Sequence, residues 1–260
     1  MPTFDELVSE AQAAPFSGWD FSWLDWPRAR AGRLPWSYRR EVARRAAGLA
    51  GPMLDMGTGG GERLSRLPSR APRTVATEAW LPNVSVAAQR LAPLGIAVVQ
   101  DEGAPNNNSQ AYGTRGRLPF HEGAFGLVAN RHEAFRADEV SRVLAPGGTF
   151  VTQQIDFHSS DDLYRLLGLE LPEQPDSWLP LARKQVRDAG LIVQAAARGE
   201  ERHELRDVGA LVYYLRVVSW AVPEYSLDRC RMALRAAHET PELWPALFRQ
   251  RLFLLVAAKP

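Results

Sequence analysis

Between a short apolar run, Pro52 to Met56, and a helical stretch, Glu62 to Leu67, the chain reads Asp55-Met56-Gly57-Thr58-Gly59-Gly60-Gly61-Glu62. Glycines at a strand-to-helix turn tolerate positive φ and let backbone amides come close to a ligand. A dinucleotide fingerprint counted from Gly57 requires glycine at 62, where Glu62 stands, and a carboxylate there would repel a pyrophosphate. The P-loop pattern fails as well, because no Gly-Lys-Ser/Thr follows. Two further acids close the next apolar runs: Glu78 after 74–77, and Asp101 after 95–99. Ligands of open α/β sheets sit at the carboxyl ends of the strands. Three carboxylates there suit a ligand offering hydroxyls, an amine and an ammonium or sulfonium charge. Glu78 is placed to accept hydrogen bonds from a ribose, and Trp80 to cover an adenine ring. Taken singly, each acid is more simply a turn or cap residue.

The elements that must position these residues alternate. Strands are expected at 52–56, 74–77, 95–99, 125–130, 149–155, 191–197 and 251–258, the last as an edge strand. Helices fall between them. In 83–91, Val84, Ala87, Ala88 and Leu91 share one face; further helices cover 133–145, 181–189, 208–219 with Asp207 as N-cap, and 227–239. This alternation is that of a βαβ sheet. Three stretches interrupt it: an Asn/Gly-rich loop at 104–117, a loop-rich excursion at 156–180, and a largely helical insertion at 201–250. The first 50 residues hold Trp19, Trp23, Trp26 and Trp36, half of the eight tryptophans, and are expected to form a helical lid that packs onto the core or lines a substrate.

Four segments, in order, resemble the class I S-adenosylmethionine-dependent methyltransferases: MLDMGTGGGERL, TEAW, LPFHEGAFGLV and EVSRVLAPGGTFV. The resemblance spans about residues 51–155 and is nearest the small methyltransferase type 11 subset. It implies an α/β fold, a Rossmann-like seven-stranded mostly parallel sheet flanked by helices, with the N-terminal lid over 1–50 and the methyltransferase domain over 51–260. It also implies S-adenosyl-L-methionine as cofactor, with Asp55, Gly57, Thr58, Gly59 and Gly61 around its methionine part. Glu78, Ala79 and Trp80 would serve the ribose and base, Asp101 the adenine amino group, and Asn130 the floor beneath the sulfonium. Phe125-Gly126 departs from the family's Phe-Asp at this strand, and the 104–117 insertion leaves Asp101 and Glu102 as alternatives for adenine.

On the acceptor side, Asn130-Arg131-His132-Glu133 offers His132 and Glu133 as bases, with His132 the candidate catalytic residue and His158 another acceptor-side group; an isolated loop histidine is otherwise a surface or capping residue. His121 has no evident role. Trp36 and Tyr38 are candidates to close over the substrate. Tyr213, Tyr214, Trp220 and Tyr225 are candidate aromatic walls, Tyr214 being equally a core residue because Leu211, Leu215 and Val218 share its helix face. No metal-ligand spacing is present.

Composition bounds the function. The chain has 260 residues, 45% hydrophobic and 23% charged, with net charge +1. Such values are those of a globular protein and call for neither nucleic acid nor membrane. No apolar run approaches the roughly 20 residues that span a bilayer. The opening MPTFDELVSEAQ lacks the basic and apolar regions of a secretory signal, and a single cysteine, Cys230, suits a reducing compartment; a cytoplasmic monomer or homodimer is expected. Lys184 and Lys259 are the only lysines among 31 basic residues. The arginine bias reads most simply as coding composition, and Arg39-Arg40 with Arg44-Arg45 as a solvated helix face. The leading expectation is methylation of a small molecule on O, N or C. Alternatives are an rRNA or tRNA methyltransferase, kept open by the arginines, and a non-catalytic S-adenosylmethionine-binding module. A nicotinamide dehydrogenase is disfavoured by Glu62.

Overall fold

Short β-branched and aliphatic runs alternate inward- and outward-facing side chains, and this period of two divides the core between the faces of one sheet. The computed structural model describes residues 2–105 and 115–260, so the expected 104–117 loop lies mostly outside the described residues. The strands are β1 (Ala29–Ala31), β2 (Met53–Met56), β3 (Thr74–Glu78), β4 (Ala97–Gln100), β5 (Phe125–Arg131), β6 (Leu144–Ile155), β7 (Ile192–Leu205) and β8 (Ala246–Ala258). They join in the order β1-β7-β8-β6-β5-β2-β3-β4. The pairs from β6 through β5, β2 and β3 to β4 are parallel, whereas β8 runs antiparallel to both β6 and β7, and β1 antiparallel to β7.

The helices are α1 (Phe4–Ala13), α2 (Tyr38–Ala46), α3 (Glu62–Ser65), α4 (Leu81–Leu91), α5 (Ala137–Val143), α6 (Asp161–Leu166), α7 (Leu179–Asp188), α8 (Val208–Val217) and α9 (Leu227–His238). Met53, Leu127, Ala129, Val151 and Val256 point to one face, against Val42 of α2 and Ala87 and Leu91 of α4. Leu54, Val128, Phe150, Phe253 and Leu255 point to the other, against Val140 of α5 and Ala182 and Val186 of α7. Each fully buried Val, Leu, Met or Phe side chain among them contributes about 1.5–3 kcal/mol. A third cluster lies past the end of the sheet. There α1 packs on α8 through Phe4, Leu7, Val8, Leu211 and Leu215, with Leu205 and Phe248 beneath.

Three expectations are corrected. The described sheet has eight strands, not seven: β7 runs to Leu205, and its free outer edge is paired by β1. The last strand is interior, because β8 bonds to β6 and β7 on its two sides; Phe253, Leu255 and Val256 are fully buried there. The insertion at 201–250 is narrower, since β7 and β8 extend into it from both ends and keep pairing as far as Leu205↔Ala246. The 156–180 excursion also contains α6, whose Leu163 and Tyr164 join the third cluster.

Candidate functional site

The turn after β2 is built from residues that only glycine could replace without a shift. Gly57, Gly59 and Gly61 have φ of 63°, 64° and 79°. Glu78 ends β3 beside this turn, and its carboxylate accepts the Gly59 amide at 2.7 Å and the Trp80 amide at 2.9 Å. The glycine turn and the strand-end acid, 19 residues apart, are therefore one unit. Burial lifts the Glu78 carboxyl, and the Asp101 charge adds to the rise, while the amides of Trp80 and Gly59 oppose it. Asp55 is pushed up to about 6 by burial, opposed by the Thr58 hydroxyl and reinforced by Glu78. Asp101 follows β4 and is raised by burial against hydrogen bonds from Gly103 and Thr77. It is half-buried, Glu102 exposed, and the two border a cavity of about 390 Å³ with Gln100, Arg117, Leu118 and Pro119. Ala79 lines the same side: a Cβ on Gly103 would meet its methyl at 2.9 Å. Trp80 exposes 54% of its surface at the mouth.

Glu133 joins this group. A Cβ on Gly57 would lie 2.4 Å from Glu133 Cβ and Cγ, and one on Gly103 would lie 3.4 Å from its Oε1, so the side chain reaches from the turn after β2 to the loop after β4. Burial pushes its carboxyl up to about 8, with the Glu78 and Asp101 charges adding to the rise. Asn130 is fully buried and spends its amide within the protein: Nδ2 donates to Glu133 O at 3.1 Å, and Oδ1 accepts from Thr152 and Gln154. Its side chain shapes the turn that presents Glu133. His132 (φ 63°) reverses the chain between them. The sequence drew attention to 130–133 but gave no sign of that left-handed step, which sends Glu133 toward the glycines.

His132 is exposed at the surface. Trp36 Nε1 can only donate, and it does so to Gln153 Oε1 at 2.9 Å. That orients the amide so that Gln153 Nε2 donates to His132 Nε2 at 3.3 Å. The imidazole is thus held neutral with its proton on Nδ1. Burial and then the Arg131 and Arg63 charges keep its pKa well below the usual range. Tyr38 stands beside Asp55, Arg131 and Arg63, and its raised pKa follows first from burial and then from Asp55.

Two expected acceptor-side groups lie elsewhere. Tyr214 is buried in the third cluster against Phe248, its hydroxyl accepting from Gln250 at 2.9 Å; the apolar face of α8 makes it core, which corrects its assignment to a substrate wall. His158 also has φ 63°, and its Nδ1 is paired with Asp161 at 3.1 Å in the first turn of α6, so its polar edge serves the helix start.

The first 50 residues divide by role. Trp23 stacks on Tyr213 at 4.5 Å in the third cluster, and α2 covers the sheet, with Arg39, Arg40 and Arg44 exposed as expected. The strap Phe16 to Phe21 lies on the glycine turn. A Cβ on Gly59 would fall 1.8 Å from Trp19 Cδ1, and one on Gly60 2.8 Å from Gly18 Cα. Trp19 meets Trp220 edge-on at 5.3 Å, so strap and insertion touch here. Glu62 accepts from the Trp19 amide at 3.4 Å and pairs with Arg90 at 3.3 Å. Its charge is spent on the strap and α4, so the repulsion expected from Glu62 toward a pyrophosphate loses its force.

Among the described residues no three His, Cys, Asp or Glu side chains could share a metal ion, so the acids are strung along the strand ends rather than gathered at a point. No helix of the described residues is long and apolar enough to cross a membrane. No family model matches the chain, and no curated protein matches it. Solved structures do. A protein assigned as a methyltransferase from Bacillus halodurans C-125 is 17% identical, with 85% of this chain and 98% of its own covered and a TM-score of 0.54. YcgJ from Bacillus subtilis is 17% identical over 85% and 97%, with a TM-score of 0.55. A Deinococcus radiodurans R1 protein of unknown function is 15% identical over 92% and 95%, with a TM-score of 0.53. The chain thus shares the α/β, Rossmann-like fold of these structures.

Proposed function

We propose that this chain is an S-adenosyl-L-methionine-dependent methyltransferase, of the type 11 kind, acting on a small molecule. The observation that carries the reading is the row of acids Asp55, Glu78, Asp101 and Glu133 along the strand ends, bound to a glycine turn through the Gly59 amide. An elongated ligand with hydroxyls and amines along it and a positive sulfur satisfies such a row; a pyrophosphate would meet four carboxylates. In this reading the 57–61 turn and Asp55 hold the methionine part, Glu78 the ribose, and Asp101 the adenine amino group with Trp80 over the ring. When bound, the cofactor supplies an electrophilic methyl group. The protein's part is to hold an acceptor lone pair roughly 3 Å from it and to exclude water. His132 offers its Nδ1–H to the acceptor as a hydrogen-bond donor; with Nε2 occupied by Gln153, the base role expected from sequence recedes. A single buried cysteine, Cys230, supports a cytoplasmic setting, and no observation favours nucleic acid over a metabolite.

Calorimetric titration with S-adenosylmethionine, S-adenosylhomocysteine and NAD⁺ tests the cofactor: the first two bind and NAD⁺ does not. Absence of binding by both sulfur nucleosides would overturn the reading. Extracts incubated with an isotope-labelled methyl donor then show label in small molecules and none in tRNA or rRNA. Tight binding with no label anywhere would leave a non-catalytic binding module.

A further inference from the structure

The other half of the cleft has the opposite character. Several partly buried arginines are matched: Arg90 with Glu62, Arg142 with Glu139, Arg45 with Glu41. Arg131, at the end of β5, and Arg63, on α3, make no ion pair or hydrogen bond with any described residue. The nearest acid acting on both is Glu201, which is itself paired with His203 at 3.3 Å. Arg131 is no free surface arginine: burial and then the Arg63 charge bring it down to about 9. Leaving a walled-in guanidinium unmatched is costly. Tyr38 adds a buried hydroxyl that feels these cations and Asp55, with the Asn130 main chain nearby. The Nδ1–H of His132 is the remaining donor. Arg63 and Arg131 act on each other and on Tyr38, and the His132 N–H follows Arg131 directly in the chain, so donors outnumber acceptors here, Glu201 being the acid that acts on both guanidiniums. Oxyanions are acceptors only, and guanidinium forks match their geometry.

We propose that the methyl acceptor carries an oxyanion, a carboxylate or a phosphate, that docks on Arg63 and Arg131 beside Tyr38 and His132. This rests on the methyltransferase reading for the word acceptor, while the anion site itself stands on the donors. Trp36 and Tyr38 flank the site, so an aromatic or other flat body attached to the anion is accommodated. Burial first, and then the mutual repulsion of the cations, lowers His132 and Arg131, and a docked anion opposes the second of these.

The test uses the full-length chain saturated with S-adenosylhomocysteine, and benzoate, phenyl phosphate and neutral benzamide as probes in saturation-transfer NMR. Benzoate or phenyl phosphate is expected to bind at millimolar concentration, and whichever is tighter names the source. Benzamide is expected not to bind. Arg63→Gln, at an exposed position, weakens the anion about tenfold, and Arg63→Gln/Arg131→Gln abolishes it, with circular dichroism checking that both variants fold. Affinity for S-adenosylhomocysteine stays within about twofold in both variants. Equal binding of benzamide, no anion binding to the wild type, or undiminished anion binding to the double variant would each overturn the proposal. So would loss of nucleoside affinity in parallel with the anion, since the arginines would then hold the cofactor's own carboxylate. Arginine-dependent anion binding in a chain that ignores S-adenosylhomocysteine would keep the site and sink the methyltransferase reading instead.

Discussion

Asp55, Glu78, Asp101 and Glu133 occupy one half of the cleft, and Tyr38, Arg63, Arg131 and His132 the other. The halves differ in sign and also in how they are held. The acids are fixed largely by main chain: they stand at or just past strand ends, and the key contact is a backbone amide 2.7 Å from a carboxylate. The basic half is fixed by side chains from distant parts of the sequence, such as Trp36 on Gln153, 117 residues apart, and Gln153 on His132. A cleft divided in this way sorts a cationic ligand from an anionic one by charge before any shape is read.

The largest effect expected falls on the turn itself. Gly59→Ala must keep φ at 64° and place a methyl 1.8 Å from Trp19 Cδ1, so S-adenosylhomocysteine binding, followed by calorimetry, should fall at least about a hundredfold. Retained affinity would remove the turn from the site. Glu78→Ala comes next, with a loss of roughly 1–3 kcal/mol from a buried acceptor. Arg63→Gln/Arg131→Gln should leave that same measurement nearly unchanged, and equal losses from both sides would erase the division of the cleft.

Acidity sharpens the contrast. With Glu133 pushed up to about 8 and Asp55 to about 6, the free protein keeps these protons in mild acid. A cation favours the ionised carboxylates, so S-adenosylmethionine affinity should rise several-fold between about pH 6 and pH 8 and then level off. S-adenosylhomocysteine, lacking the sulfonium, should rise less, and Glu133→Gln should flatten the curve. Because both folded-state values lie above ordinary carboxylate values, the stability they confer is present at low pH and lost as pH rises through about 6 and then about 8. Thermal melting of the free chain should show this decline, and Glu133→Gln should reduce it. A flat wild-type profile would deny the clustering of the acids. The smallest signal lies across the cleft: ¹⁵N NMR should find His132 neutral, with its proton on Nδ1, throughout mildly acidic pH, and Gln153→Glu should bring its titration back toward the usual range. An ordinary titration in the wild type would mean that the Trp36–Gln153 chain does not hold the ring.

The two halves were also unequally legible in the sequence. Glycine spacing, strand-end acids and apolar alternation are local patterns, and they located β2, β3, β5, the turn, Glu78 and Asp101 to within a residue or two. Tyr214 stood open between wall and core because residue type and position do not say whether a polar side chain is already satisfied inside the protein. Glu133 was visible as an acid but not as a neighbour of Gly57, since its direction depends on the reversed backbone at His132. Arg63 and Arg131 were lost among 29 arginines of 31 basic residues; what marks them is the absence of a partner, which only three-dimensional structure reveals. β1 and the long β7–β8 pairing are likewise nonlocal, and Pro27 beside Trp26 gave no hint of a strand two residues on.

That pairing has a mechanical consequence. β6 ends opposite Leu252, but β7 and β8 continue together to Leu205 and Ala246, and the third apolar cluster is mounted on this continuation. Sheet and lobe therefore share one ladder, regular from Ala195↔Val256 to Leu205↔Ala246, with no break where β6 ends. Rotating the lobe would mean tearing that ladder. Movement beside the glycine turn falls instead to the short strap around Trp19, which rests there through one aromatic ring, the Gly18 main chain and one long amide contact.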